Sequence, residues 1–318
     1  MKPPERKAIV EQNAEEVLGD LDGVLQLKKP VAYCGYEPSG EIHLGHLVTI
    51  TKLIGLMKAG FQVKVLFADW HAWLNRKGDW DFIEKQVKNW KNGFTAAGLK
   101  DAEFIVGTSF QKSKEYIDNL MQVSQLITLS RALRSMQQVG RDIEHARVSQ
   151  IIYPLMQIVD IKHLKVDLVH AGIEQRKIHA LGMEVLPKIS YKVPVFVHTP
   201  LIPSLKGPGS KMSSSEPESM ISIRDKIEDV KKKIAKAYCP EGIAEDNSIL
   251  AIAKLIIFPR IKKLSIKRPE KYGGNLEIES YEKLEELFRD KKIHPLDLKN
   301  AVAEELNKIL EPIRKEFF

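Results

Sequence analysis

The sequence predicts an α/β fold, a doubly wound parallel sheet with a helical insertion and a smaller C-terminal helical domain. Three observations predict it. Short apolar runs alternate with longer helical patterns over the first two hundred residues, the rhythm of strands joined by crossover helices. Residues 111–150 break that rhythm with a purely helical pattern that spaces Arg131, Arg134, Arg141 and Arg147 along it. After about residue 220 the strand signals fade. The expected division is therefore 1–220 for the sheet domain, with its insertion at about 111–150, and 221–318 for the helical domain.

Each element has its own reason. "PVAYCGY" (30–36) is an apolar run of strand length, and "HLGHLVTITKLIGLMKAG" (43–60) is a helix closed by Gly60. "FQVKVLFAD" (61–69) is a second strand, "DWDFIEKQVKNWKNGFTAAG" (79–98) a second helix and "AEFIVG" (102–107) a third strand. "VDLVHAG" (166–172) and "VPVFVHTP" (193–200) are later strands, with the helical "EQRKIHALGMEVLPKI" (174–189) between them. "IRDKIEDVKKKIAKAYC", "SILAIAKLIIF" and "HPLDLKNAVAEELNKILEPI" read as helices. The last places Val302, Leu306, Ile309, Leu310 and Ile313 on one face. A Gly/Pro/Ser-rich loop near 203–220 lies at the junction.

Composition narrows the function classes. At 318 residues and 43% hydrophobic content the chain can bury a sizeable core. No apolar run approaches the roughly 20 residues of a membrane span. The charged N-terminus has no apolar segment of signal-peptide type, so a cytoplasmic location is expected. Cys34 and Cys239 stand far apart in no metal-binding or redox spacing, and read as two reduced thiols. A net charge of +7 is a modest pointer to a polyanionic partner.

Two stretches carry chemistry. "PSGEIHLGHL" (38–47) follows a strand and opens a helix, where free N–H groups and the helix dipole favour an anion. Its Gly40 and Gly45 have phosphate-loop spacing, but His46 stands where that motif needs lysine. His43 and His46 share one face of the first turn, yet no third ligand completes a metal spacing. The remaining readings are paired donors to one phosphate or ordinary helix caps. The second stretch, "GPGSKMSSSE" (207–216), sets Lys211 ahead of three serines on a loop of small residues. An ammonium there is a movable point charge for phosphate.

A third stretch, "YPLMQIVDIKHL" (153–164), puts Tyr153, Gln157, Asp160 and Leu164 on one helical face. The intervening residues are apolar, so the helix is buried and its polar stripe needs partners. Either the stripe pairs internally or it lines a pocket with a phenol, an amide and a carboxylate. "GIEQRK" (172–177), after the next strand, favours the pocket.

"HLGH" (43–46) and "KMSSS" (211–215) together resemble the two signature motifs of class I aminoacyl-tRNA synthetases. The second departs from its usual form at Ser214, where a lysine is common, which leaves more of the charge to Lys211. From "AYCGYEPSGEIHLGH" through "GIEQRKIH" and "AYCP" to "HPLDLKNAVAEEL", nearly the whole chain resembles the tyrosyl-tRNA synthetase family in its archaeal and eukaryotic branch. The resemblance implies a Rossmann-like domain that adenylates an amino acid with ATP and passes it to tRNA. Magnesium would be carried by ATP, with no metal held by the protein. His43, His46 and Lys211 would be catalytic, and Gly45, Ser213 and Ser214 would meet ATP. Tyr33 and Asp160 would hold the substrate phenol, and Tyr153, Gln157 and Gln175 its ammonium and nearby polar groups. Arg134, Arg176 and Lys177 match positions that read the acceptor stem of tRNA(Tyr). Tyr272, His294 and Asp297 match positions that meet the anticodon. A homodimer is expected from the match of the insertion to the family's dimerisation region.

Three other readings stand beside this one. A tryptophan-specific relative could use Asp160 to accept an indole N–H. A nucleotidyltransferase could share the histidine motif without using tRNA, although the C-terminal helical domain would then lack a purpose. A catalytically silent RNA-binding paralogue would have no need of His43, His46 and Lys211.

Overall fold

The computed structural model describes residues 1–140, 145–209, 212 and 216–317. Two compact units are present: Met1–Gly40 with Lys52–Lys91 and Leu99–Pro200, and Glu41–Thr51 with Asn92–Gly98 and the chain from Leu201 onward.

The first unit opens with α1 (Pro3–Glu11), β1 (Glu16–Leu18), α2 (Leu21–Leu25) and β2 (Val31–Tyr36). The helix α3 (Leu44–Lys58) contributes its second half to it. There follow β3 (Gln62–Phe67), α4 (Asp69–Leu74), α5 (Trp80–Phe94), β4 (Glu103–Val106) and α6 (Thr108–Gln111). The insertion holds α7 (Lys114–Leu126) and α8 (Leu129–Ser135). Then come α9 (Val148–His163), β5 (Leu168–Gly172), α10 (Arg176–Val185) and β6 (Val195–Thr199).

The sheet runs β1-β6-β5-β2-β3-β4, and every pair but one is parallel. From β2 the chain winds outward through β3 and β4, and later through β5 and β6 on the other side. The order therefore reverses between β2 and β5, where Tyr33 stands opposite Val169. Ligands in such sheets gather beyond the carboxyl ends of the strands at that reversal. Every residue of β5 and β6 is buried, as strands covered on both faces require. The exception is β1, which pairs antiparallel with β6 from Glu16 opposite His198 to Leu18 opposite Phe196. No strand pattern marks residues 16–18 in the sequence, because a three-residue edge strand draws its pairing from its neighbour rather than from its own pattern.

The helix α9 is central to this unit. It packs against α4, α7, α8 and α10. Leu155, Met156, Ile158, Val159 and Ile161 are buried in a core shared with Tyr116, Leu120, Val123 and Phe196. Pro154 lies inside the helix, where its ring removes one N–H from the ladder.

The second unit contains α11 (Ile227–Lys236), α12 (Ser248–Ile252), β7 (Leu264–Ile266), β8 (Leu276–Ile278), α13 (Tyr281–Arg289) and α14 (Pro295–Lys315). Val302, Leu306, Leu310 and Ile313 of α14 are fully buried, and Ile309 is at the margin of the face. That face packs on α11, α12 and β7. The antiparallel pair β7–β8 was not expected in a helical domain. Its buried positions, Leu264, Ile266 and Ile278, are too few to make a strand signal alone. Among the described residues no helix is long and apolar enough to cross a membrane. Both cysteines are buried free thiols.

Candidate active site

In the first unit four elements converge on the Asp160 carboxylate. Asp160 lies on α9 with no exposure. Its Oδ1 accepts from the Tyr116 hydroxyl of α7 at 2.8 Å and from the Gln111 amide of α6 at 2.9 Å. Its Oδ2 is buried and accepts no hydrogen bond. The Nε2 of His71, on α4, is 3.5 Å from Oδ2 and is likewise without a hydrogen bond. Burial pushes Asp160 up to about 7 despite the two donors on Oδ1, and holds His71 down at about 3. Among the buried polar groups here, Oδ2 is an acceptor with nothing to accept, which costs stability unless a ligand supplies the proton.

Tyr33, on β2, is buried. Burial and the charge of Asp160 both push its phenol well above the usual range. Gly35 makes room for it: a Cβ there would stand 2.6 Å from the Tyr33 hydroxyl. Tyr153, about two turns before Asp160 on α9, packs its ring edge-on to His71 at 4.7 Å between centroids. Burial and the Glu37 carboxylate raise its phenol as well. Gln157 donates to Gln175 Oε1 at 3.4 Å and is 3.2 Å from the Nε2 of His179. Gln175 ends the short turn Ile173–Gln175 that follows β5.

The polar stripe of α9 is thus partly paired within the protein, and it still leaves one carboxylate oxygen open. The internal pairing is that of Asp160 with Tyr116 and Gln111 and of Gln157 with Gln175. Tyr116, Gln111, His71 and Glu37 have no motif in the sequence that singles them out. Tyr116 falls in an ordinary apolar spacing with Leu120 and Val123, so nothing local marks it as polar machinery.

In the second unit His43 and His46 start α3. His43 Nδ1 accepts the Gly45 N–H at 3.1 Å, and His46 Nδ1 accepts the His43 N–H at 3.1 Å. This is a reciprocal capping box built from two imidazoles. The rings are 4.1 Å apart, and burial pulls His43 down to about 4 and His46 well below its usual value. With Nδ1 accepting and both rings neutral, the proton of each sits on Nε2. The cap and the donor readings are therefore compatible, since the cap fixes the tautomer that donates. Gly45 is required, because a Cβ would meet His43 Cε1 at 2.8 Å and Nδ1 at 3.0 Å.

A later segment of the second unit pairs with this motif. Residues 221–223 pair with 42–44: Leu44 N–H donates to Ile221 O at 3.1 Å, and Ile223 N–H to Ile42 O at 3.0 Å. Lys211, Ser213 and Ser214 lie outside the described residues, as does Arg141. Met212 is buried.

The basic positions fall in two places. Arg134 is exposed on α8, and Arg176 and Lys177 open α10. Lys177 Nζ reaches Gln137, just beyond α8, at 2.7 Å, and Arg131 pairs with Glu184 of α10 at 2.6 Å. The two helices thereby hold these cations near one another. In the second unit Tyr272 is 61% exposed, with Lys271 over its ring. His294 caps α14 by accepting the Leu296 N–H at 3.2 Å, and Asp297 sits in the first turn. Arg268 ties the two segments, donating to Gly274 O and to Lys292 O. Among the described residues no group of three or more His, Cys, Asp or Glu is placed to hold a metal.

The family model for class I tRNA synthetases of the W and Y type matches residues 26–311. The tyrosine–tRNA ligase of Archaeoglobus fulgidus is 48% identical over 316 residues, covering 98% of this chain and 97% of that protein. The chain belongs to the tyrosyl-tRNA synthetase family. A crystal structure of the Archaeoglobus fulgidus synthetase complexed with L-tyrosine superposes with a TM-score of 0.97 at 47% identity, over the whole of both chains. The tryptophanyl-tRNA synthetase of Aeropyrum pernix, at 22% identity and a TM-score of 0.76 over 99% of this chain and 85% of that one, shares the fold alone. As a tyrosyl-tRNA synthetase, the chain is a class I aminoacyl-tRNA ligase with ATP as a substrate.

Proposed function

We propose that the protein activates L-tyrosine with ATP and transfers it to the 3′ end of tRNA(Tyr). The observation that carries the substrate is the open Oδ2 of Asp160, which accepts the phenol O–H of tyrosine and has nothing to accept from phenylalanine. Tyr33 stands beside that hydroxyl. Gln157, Gln175 and Tyr153 take the ammonium end.

In the first step a carboxylate oxygen of tyrosine attacks the α-phosphorus of ATP. The bond to the bridging oxygen breaks and pyrophosphate leaves. His43 and His46 donate from Nε2 to phosphate oxygens as charge builds on them, and Lys211 adds a point charge from its loop. Gly45, Ser213 and Ser214 line the nucleotide, with Ser214 giving a hydrogen bond where a lysine would give charge. Magnesium bound to ATP would screen its phosphates. In the second step a hydroxyl of the terminal ribose attacks the tyrosyl carbonyl carbon and AMP leaves. Arg134, Arg176 and Lys177 hold the acceptor stem, and Tyr272, His294 and Asp297 stack on and hydrogen-bond anticodon bases. The helical segment 111–150 forms the interface of a homodimer, residues 221–318 serve the anticodon, and the enzyme works in the cytoplasm.

Pyrophosphate–ATP exchange with tyrosine, tryptophan and phenylalanine side by side tests the reading. Exchange should depend on tyrosine. Exchange with tryptophan alone would overturn it, and tyrosine exchange without charging of tRNA would reduce the protein to a nucleotidyltransferase.

A further inference from the structure

A buried chain of hydrogen bonds runs inward from the surface to Gln157. At its outer end Arg176 grips Glu16 of β1 through Nε and Nη2 at 2.8–2.9 Å. That ion pair holds Glu16 below the usual carboxylate range, so its oxygens only accept. His198 Nδ1 lies 3.1 Å from Glu16 Oε2. His198 Nε2 lies 2.8 Å from the Nδ1 of His179, and His179 Nε2 lies 3.2 Å from the amide nitrogen of Gln157. Both imidazoles are fully buried, and burial keeps both below the ordinary histidine range.

These neutral rings leave one consistent set of protons. Facing a carboxylate, His198 must donate from Nδ1, which leaves a lone pair on Nε2. His179 must then donate from Nδ1 into that lone pair, which leaves its own Nε2 as an acceptor. Gln157 must therefore present its NH₂ group to His179, and its second N–H reaches Gln175 Oε1 at 3.4 Å. The reverse arrangement would set the His198 lone pair against the carboxylate. His170, whose Nδ1 donates to Val197 O at 3.1 Å, is the other titratable group acting on His179, and it disfavours a charge there.

We propose that Glu16, His198 and His179 are positioning residues that fix the orientation of the Gln157 carboxamide, so that its oxygen and not its nitrogen meets the α-ammonium of tyrosine. This rests on the tyrosine reading above. Each member passes on only a direction, and the sign is set by a carboxylate at the sheet edge.

Glu16→Gln tests it, because an amide can accept from His198 or donate to it and no longer dictates the direction. The KM for tyrosine in pyrophosphate exchange should rise roughly ten- to a hundredfold, the loss of one hydrogen bond to a charged group. The KM for ATP should stay within about twofold. Inhibition by desaminotyrosine, which keeps the phenol and the carboxylate but lacks the ammonium, should be unchanged. ¹⁵N spectra of histidine-labelled wild-type protein should show His179 and His198 both protonated on Nδ1, whether or not the variant folds. An Nε2 proton on His179, an unchanged tyrosine KM, or equal weakening of tyrosine and desaminotyrosine overturns the proposal while wild-type exchange leaves the tyrosine reading standing. Absence of tyrosine exchange by the wild type would instead overturn that reading and this one with it.

Discussion

Asp160→Ala removes the acceptor proposed to bind the tyrosine hydroxyl. In the parent, Oδ1 already serves Tyr116 and Gln111, whereas Oδ2 accepts no hydrogen bond and has His71 Nε2 at 3.5 Å. The ligand therefore gains one hydrogen bond to a charged oxygen, worth about 1.5–3 kcal/mol. At about 1.4 kcal/mol per factor of ten, the KM for tyrosine in pyrophosphate exchange should rise about 10- to 150-fold. Phenylalanine has no hydroxyl to lose, so the preference for tyrosine should fall by the same factor. The KM for ATP should move less than about twofold. The fold should tolerate the change: Tyr116 retains Met156 O at 3.0 Å, Gln111 retains His71 at 3.4 Å, and a costly buried charge is gone. Steady-state exchange with all three substrates, together with a thermal melt, gives the numbers. An ATP KM that rises as far as the tyrosine KM, or a tyrosine-to-phenylalanine ratio that does not move, would refute the reasoning and make Asp160 a structural residue.

Further outcomes follow from the same geometry. Asp160 is raised from 3.8 to about 7, so the ionised acceptor is lost as pH falls through that value, and the wild-type tyrosine KM should climb between pH 8 and pH 6. Between 3.8 and about 7 the native state holds a proton that the unfolded chain has released, so this group makes stability fall with rising pH; denaturant titrations of Asp160→Ala should lack that decline. Tyr116→Phe deletes a donor that pulls Asp160 down, and should move the rise in tyrosine KM to higher pH in the same exchange assay. Gly45→Ala pushes a Cβ into the His43 ring, and should lower kcat for exchange at least about tenfold while the tyrosine KM stays within about twofold. Lys52→Met strips the donor from three carbonyls, those of Ile9, Val10 and Gln12 at 2.5–3.1 Å. Calorimetry should show a Tm several degrees lower, for a loss of about 2–4 kcal/mol.

The strands at the centre of the sheet were legible because each is an apolar run with both faces covered. β2, β3, β5 and β6 begin and end within two residues of their apolar runs. β1 was not legible, since three residues at an edge carry no pattern. The helix α9 could be placed by its apolar content, and its polar stripe could be seen, but what each polar group touches could not. Gln111, Tyr116 and His71 stand on three different helices, and their meeting at one carboxylate is a property of the packing. The two histidines of "HLGH" stood out by spacing and context. Their mutual capping depends on ring orientations that spacing does not encode. Glu16 and His198 are 182 residues apart, and no local signal joins them.

That separation bears on how the protein is made. β1 leaves the ribosome early, yet its partner strand β6 comes some 180 residues later. At about 5–20 residues per second, the first strand waits about 10–40 s with its edge open before the sheet can accept it. Meanwhile Glu16 has no imidazole to direct. The pairing of β1 with β6, and of Glu16 with His198, can form only after residue 199 has been made. A nascent chain arrested before residue 199 should lack a set Gln157, however well its inner strands have formed.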